Sequence, residues 1–224
     1  LRPFLFYGLD INWEEERENG TGDCLFCGRE GKFSININTG LWKCFVCGEG
    51  TEKGGGNIYT FMRLLWDRSF KSASDYDSLA ADRRLLSPDT LIHWGACQSI
   101  IDRCWLLPGY GVDGKIVQLY RYQKSREGKK VLYAATGTNH GLYGVDVPGK
   151  NKQEVFVCEG PWDAMALWEV MGQVKRVGDR LAPTGATEAS LLVGTNVIGV
   201  PGCNVYREAW SSVLAGKVVS LLFD

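Results

Sequence analysis

Two Cys-x-x-Cys pairs, Cys24/Cys27 and Cys44/Cys47, and three acids, Glu159, Asp163 and Asp224, are the side chains of this chain best suited to hold metal. Four thiolates suit one tetrahedral Zn²⁺ whose every position is filled by protein, so such a site is structural and takes no direct part in chemistry. A redox Cys-x-x-Cys needs a single pair at a helix N-terminus, and two matched pairs argue against it. The acids offer oxygen to a harder ion. Three carboxylates converging on one edge repel one another unless cations sit among them, and Mg²⁺ or Mn²⁺ is the fitting choice. The bland alternative is that Asp163 is a helix-start charge favoured by the dipole and Glu159 a turn residue.

The elements that must position these groups can be read around them. Phe33 to Asn36 alternates apolar and polar, Thr39-Gly40 marks a turn, and Leu41-Trp42-Lys43 leads into the second pair. That is a hairpin signature, and both pairs carry Gly next to the second cysteine, at Gly28 and Gly48. After a glycine run, Asn57 is a good N-cap for a helix carrying Phe61, Met62, Leu64, Leu65 and Trp66 at helical spacing. Arg29, Lys32, Lys43 and the aromatic Trp42 are the ribbon's candidates for a nucleic-acid face, because stacking plus charge is how single strands are held.

The stretch from Asp67 to Leu86 reads as one helix with a flexible approach. Ser87-Pro88 then opens a short helix through Trp94, with Ser as N-cap and Pro in the first turn. His93 reads as a surface or packing residue. Strands follow at Cys104–Leu107 and Lys115–Tyr122 around Gly109–Gly114. That turn formally matches G-x-G-x-x-G, but a dinucleotide fingerprint opens a helix and here a strand follows, so it is a hairpin loop. Beyond it Arg121, Lys124, Arg126, Lys129 and Lys130 interleave with Tyr120, Tyr122 and Tyr133, a pattern suited to phosphates of template or nucleotide.

The run Val155–Cys158 is unbroken apolar, as in a strand covered on both faces, and Glu159-Gly160 ends it. Pro161 suits a first helical turn, and later apolar runs at 196–200 and 217–223 complete a β-α-β rhythm. A parallel sheet follows. Ligands of such sheets bind beyond the carboxyl ends of the strands. Glu159 and Asp224 each close a strand, so they are predicted to share an edge, with Asp163 in the first turn of the intervening helix.

Composition sets the outer limits. The chain has 224 residues, a net charge of −1, 45% hydrophobic and 23% charged residues, and eight cysteines. A nucleic-acid surface must therefore be a local strip rather than a global property. Nothing approaches the roughly 20 apolar residues that cross a bilayer, and no signal peptide opens the chain. No membrane role is expected. Cys97, Cys104, Cys158 and Cys203 read as core thiols, which places the chain in a reducing cytoplasm. The chain opens at Leu1 and stops at Phe223-Asp224 inside an apolar strand, the pattern of a piece cut from a longer protein.

Taken together these motifs resemble a known family. Cys24-x-x-Cys27 and Cys44-x-x-Cys47 followed by Gly-Gly-Asn-Ile-Tyr-Thr-Phe-Met are similar to the zinc-binding domain of bacterial and phage DNA primases of the DnaG type. Ser87-Pro-Asp-Thr-Leu-Ile-His-Trp-Gly resembles the start of that family's RNA-polymerase core, and 107–121 with Lys130-Val-Leu-Tyr its basic ridge. Glu159-Gly-x-x-Asp163-Ala and the terminal Phe-Asp look like a TOPRIM fold, whose second motif is normally Asp-x-Asp and is cut here after its first Asp. The resemblance implies an α+β chain: a zinc ribbon (1–70), a linker (71–86), an N-terminal core subdomain (87–150) and a TOPRIM-like parallel sheet (151–224).

It further implies synthesis of short RNA primers on single-stranded DNA from ribonucleoside triphosphates, in a bacterial cell or phage-infected host. Glu159, Asp163 and Asp224 would hold catalytic Mg²⁺ or Mn²⁺, while Arg121 and Lys130 would contact phosphates. A replicative helicase would be a partner in cis or in trans, although no G-x-x-x-x-G-K-[S/T] loop occurs in these residues. The competing readings are another TOPRIM enzyme, a nuclease or topoisomerase, and a non-catalytic module that binds DNA and recruits a helicase.

Overall fold

The structure, a computed structural model, describes residues 1–14, 16–47, 55–83, 86–124, 127–144, 154–178 and 197–223. Backbone contacts divide the chain into two units that do not follow sequence order. The first comprises 1–74, 97–106 and 116–139, and the second 75–96, 107–115 and 140–224.

The first unit opens with a short helix, α1 (Arg2–Phe6), and a five-stranded antiparallel sheet in sequence order: β1 (Ile11–Asn12), β2 (Asn19–Gly22), β3 (Phe33–Asn36), β4 (Trp42–Cys44) and β5 (Gly55–Gly56). Alternation sends Phe33, Ile35, Trp42 and Cys44 inward. They meet α2 (Ile58–Phe70), whose predicted N-cap is observed: the Asn57 side chain accepts from the backbone N–H of Tyr59 and Thr60. Phe61 is fully buried and packs edge-on against Phe33 and Trp42, which stack with ring centroids 5.3 Å apart. Aromatic pairs of this kind contribute about 0.5–1.5 kcal/mol each beyond their buried area. The helix runs on to Phe70, four residues into the stretch read as beginning at Asp67, and the one helix expected in that stretch is α3 (Tyr76–Asp82).

A second sheet has the order β6 (Cys97–Gln98), β7 (Trp105–Tyr110), β8 (Ile116–Lys124), β9 (Lys130–Tyr133). Gly109 and Tyr110 close β7, and the chain turns through Gly111–Gly114 into strand β8 and not into a helix, as expected. Tyr7 ties α1 to this unit, its hydroxyl donating to the Leu119 carbonyl at 2.8 Å and approaching Gln118 and Met62.

In the second unit α4 (Pro88–His93) begins at Ser87, whose hydroxyl accepts from the Thr90 N–H. His93 is a packing residue, stacked on Trp168 with centroids 4.5 Å apart. The main feature is a parallel sheet in the order β11 (Val197–Gly199), β10 (Glu154–Cys158), β12 (Val218–Leu222), with β10 central. Helix α5 (Pro161–Gly178) packs on β10 and β11. Val155, Val157, Ile198 and Val200 form a core with Trp210 and with Val213 and Leu214 at α6 (Ser211–Leu214). Strand β10 is therefore covered on both faces, as its apolar run predicts. Strand β12 differs. Its Val218 is 65% and its Leu221 64% exposed, because it is an edge of the sheet among the described residues.

Among the described residues, no helix is long and apolar enough to cross a membrane. Cys97, Cys104 and Cys158 are buried free thiols, as read from sequence, while the Cys203 side chain lies outside what is described.

Candidate zinc ribbon and acidic strand edge

The four ribbon cysteines converge. Cys24 and Cys47 sulfurs lie 3.7 Å apart, as do those of Cys27 and Cys44, and all four fall within 4.8 Å of one another. A tetrahedron with Zn–S bonds of 2.3 Å has edges of about 3.8 Å, so the cage matches zinc. Each knuckle is held by backbone. The Cys44 sulfur accepts from the N–H groups of Val46 and Cys47 at 3.4 and 3.3 Å. At the first knuckle the Gly28 N–H bonds the Cys24 carbonyl at 2.8 Å, with Gly28 at φ +66°, a left-handed turn that glycine takes without strain. Without an ion, burial pushes the Cys24 thiol up to about 11, and the neighbouring thiols add to it. A divalent cation reverses that preference and deprotonates the ligands outright.

The candidate nucleic-acid residues separate into two groups. Arg29, Lys32 and Lys43 are exposed on the ribbon. Trp42 is not: it is 4% exposed, stacked on Phe33, and its indole N–H donates to the Asn57 carbonyl at 2.8 Å. The alternation that points Lys43 outward turns Trp42 into the core, so it offers no face to a base. Arg121 is likewise spent internally. Its guanidinium pairs with Asp102 and donates to the Phe6 carbonyl, and its Nε contacts the Cys104 sulfur at 3.3 Å. Burial works against that charge, but Cys104 and Asp102 outweigh it and hold the guanidinium protonated still more firmly. Tyr120 and Tyr122 are also buried, so the strand's aromatics do not interleave with its charges at the surface. Lys129 and Lys130 remain exposed, Lys129 with Glu127 at 3.8 Å. Arg126 lies outside the described residues, and so does the Lys124 side chain.

At the carboxyl edge of the parallel sheet, Glu159 directly follows β10 and Asp163 stands in the first turn of α5. Both line one cleft of about 300 Å³, with Cys158, Leu167, Leu222 and Phe223. The reasons are local. The β10 ladder ends at Cys158, the Ala164 N–H reaches back to the Gly160 carbonyl at 3.2 Å, and Pro161 starts the helix with no N–H to satisfy. The cleft is thus half acidic and half apolar. Oxygen donors beside open solvent fit a hard divalent cation that keeps several waters. Asp224 lies outside the described residues, but Phe223 just before it lines the same cleft.

Gly199 sets the width of this edge. A Cβ there would stand 2.7 Å from the Gly160 carbonyl oxygen and 3.3 Å from the Ala164 Cβ. Gly199→Ala is expected to lower stability by about 1–3 kcal/mol, as overpacking does, and to displace the Glu159–Gly160 turn. Thermal unfolding together with divalent-metal titration checks both effects.

Sequence reading missed Cys158 as part of the cleft wall. The residue is 2% exposed, and burial, with the Asp163 charge adding to it, pushes its thiol pKa up to about 11. At pH 8 about one part in a thousand is thiolate, roughly two orders below an ordinary cysteine. In iodoacetamide time courses at pH 8 read by peptide mass spectrometry, Cys158 is expected to react at least about tenfold more slowly than Cys27 of zinc-stripped protein.

No protein-family model matches the sequence, and no curated protein matches it. Solved structures do. The zinc-binding and RNA polymerase domains of the Aquifex aeolicus primase align over 100% of this chain and 70% of that one, with TM-score 0.47 and 12% identity. The chain resembles DNA primases. The primase fragment of the bacteriophage T7 primase-helicase aligns over 96% of this chain and 80% of that one, with TM-score 0.44 and 14% identity. T7 primase domains bound to an RNA/DNA hybrid and dTTP align over 96% and 81%, with TM-score 0.47 and 14% identity.

Proposed function

We propose that this chain is the primer-synthesising part of a DNA primase, making short RNA on single-stranded DNA by metal-dependent nucleotidyl transfer. The observation that carries the reading is Glu159 at the carboxyl end of the central strand β10, sharing a cleft with Asp163, in a chain that also carries a four-cysteine cage. A structural zinc ribbon alone would serve many nucleic-acid proteins, and an acidic strand edge alone would serve many hydrolases. Their joint presence narrows the choice.

In this reading Glu159, Asp163 and Asp224 hold Mg²⁺ or Mn²⁺. Ions held there would supply activation of the attacking 3′-hydroxyl and would neutralise charge at the α-phosphate and the leaving pyrophosphate. Glu159, rising from a strand fixed on both faces, presents its carboxylate from a rigid base, and Asp163 adds a second from the helix start. Leu167, Leu222 and Phe223 give the cleft an apolar wall that excludes water from one side. Arg29, Lys43, Lys129 and Lys130 are the exposed cations for template and nucleotide phosphates, and the folded ribbon keeps the first two on a fixed surface. The partners are a single-stranded DNA template, ribonucleoside triphosphates and, by analogy with the T7 primase-helicase, a replicative helicase in cis or in trans.

The test is synthesis on mixed-sequence single-stranded DNA with labelled ribonucleotides and Mg²⁺ or Mn²⁺, using this chain alone and within any longer natural product that contains it. Template-complementary oligoribonucleotides are the expected product. Metal-dependent cleavage of the DNA would replace the reading with a nuclease, and DNA binding without chemistry in either form would replace it with a recruiting module.

A further inference from the structure

The thiol of Cys158 is a donor that the proposed chemistry leaves unused, and the parallel sheet sets it in the floor of the acidic cleft. Val155 and Val157 enter the core with Ile198, Val200 and Trp210, so alternation turns Cys158 to the other face of β10. That face is the one α5 covers. Gly199 is the strand partner of Cys158, and a Cβ on Gly199 would meet the Ala164 Cβ of α5 at 3.3 Å. Leu222 is the partner of Cys158 on the opposite flank and continues the floor. Asp163 and Leu167 stand about one helical turn apart on α5 and make the wall. The Asp163 carboxylate is exposed but leans back over the strand end, its Oδ2 3.3 Å from where a Cβ on Gly160 would stand. Glu159, half-buried, sits at the rim.

One sulfur and two carboxylates thus line a single cleft of about 300 Å³, room for an ion with several waters. The donor set is mixed. Packing alone would account for a thiol among apolar atoms, but this one has a carboxylate across the cleft from it. Magnesium and manganese favour oxygen and leave sulfur alone, whereas thiolate beside carboxylate selects zinc or cadmium. Three protein ligands also suit zinc with its fourth position left to water or a phosphate oxygen.

We propose that this cleft is a second zinc site, in which Cys158, Asp163 and Glu159 take a thiophilic divalent cation in the place the proposed function gives to Mg²⁺ or Mn²⁺. The site is regulatory. Zinc held through sulfur excludes the ions that nucleotidyl transfer needs, so free Zn²⁺ switches the cleft off. The thiol releases its proton to solvent as the ion enters, as coordinating thiols do. The two carboxylates are shared with the proposed function, and the inference rests on that reading for them; the thiol is its own.

The experiment is equilibrium dialysis of the zinc-loaded chain against Zn²⁺, with metal counted by elemental analysis, beside Cys158→Val, a residue type that β10 already uses. The unaltered chain is expected to hold a second zinc in addition to that of the ribbon. Cys158→Val should keep the ribbon zinc and bind the second at least about tenfold more weakly, the loss that removing even an indirect partner of a metal ligand causes. Its Mn²⁺ binding, read by electron paramagnetic resonance, should stay within about threefold of the unaltered chain, because manganese uses the carboxylates alone. Added Zn²⁺ should displace Mn²⁺ from the unaltered chain at concentrations about tenfold below those that Cys158→Val requires. Cadmium-113 magnetic resonance of the unaltered chain needs no variant: a mixed sulfur–oxygen signal is expected apart from the four-sulfur signal of the ribbon. A chain that holds only the ribbon zinc, or a second zinc held equally by Cys158→Val, would overturn the inference and leave Mn²⁺ binding and the proposed function standing. If Cys158→Val loses both ions, the cadmium signal decides: its presence sustains the site and its absence overturns it. A second zinc in a chain that makes no RNA would remove only the primase reading.

Discussion

Glu159→Gln is expected to reduce primer synthesis by at least about a thousandfold while leaving zinc content and thermal stability near those of the unaltered chain. The substitution keeps shape and volume and removes one negative charge from the cleft. A hard cation held by few protein oxygens loses a large part of its binding energy when a carboxylate becomes an amide. A thousandfold corresponds to about 4 kcal/mol of transition-state stabilisation, within the several kcal/mol that metal ions supply in such reactions. Fold is spared because Glu159 is only partly buried and follows the β10 ladder without belonging to it. Asp163→Asn is expected to show the same direction with a smaller loss, since Asp163 is exposed at a helix start where a neutral residue is tolerated. Primer yield measured at several Mg²⁺ concentrations separates the cases. A Glu159→Gln protein that keeps full activity at ordinary Mg²⁺ would mean that Glu159 is a turn residue.

Removing zinc should have an effect of comparable size by another route. Structural zinc contributes about 10–16 kcal/mol of apparent binding energy, most of which is folding energy. The cage closes two knuckles that bracket β3 and β4, and those strands carry Phe33 and Trp42 into the aromatic core with Phe61. A chelator, or Cys44→Ser, is therefore expected to collapse the near-ultraviolet dichroism of the stacked pair. It should also open the remaining ribbon cysteines to alkylation and abolish the cooperative melting of the first unit, because a loss of that size matches the whole stability of an ordinary domain. Cys44 is the ligand to choose, because its sulfur also accepts two backbone N–H groups. The parallel-sheet unit contains no part of the cage, so hydrogen exchange in β10 and α5 should stay at the level of the zinc-loaded protein.

Much of this was legible in the sequence where a single local rule decides the outcome. The Cys-x-x-Cys spacing, the Asn57 and Ser87 caps, the apolar run of β10 and the rejection of the G-x-G-x-x-G turn all rest on short-range chemistry, and the structure follows each of them. The surface was less legible. Trp42 and Lys43 are adjacent, and which of the two faces solvent depends on the register of β4 against β3 and on the position of Phe61, neither of which a hairpin signature states. The same holds for Arg121, whose partners Phe6 and Asp102 are 115 and 19 residues away in sequence. Cys158 escaped notice because a lone thiol in an apolar run reads as core; only the end of the β-ladder shows that the core and the cleft meet at that residue.

The most direct test of the acidic edge is an electron paramagnetic resonance titration of the zinc-loaded chain with Mn²⁺, run beside Glu159→Gln. The account predicts loss of the free Mn²⁺ signal at stoichiometric additions to the unaltered chain and a far weaker loss for Glu159→Gln, with Mg²⁺ competing in the first case. Equal binding by both proteins, or no binding by either, would contradict a metal-holding role for the end of β10 and with it the proposed chemistry.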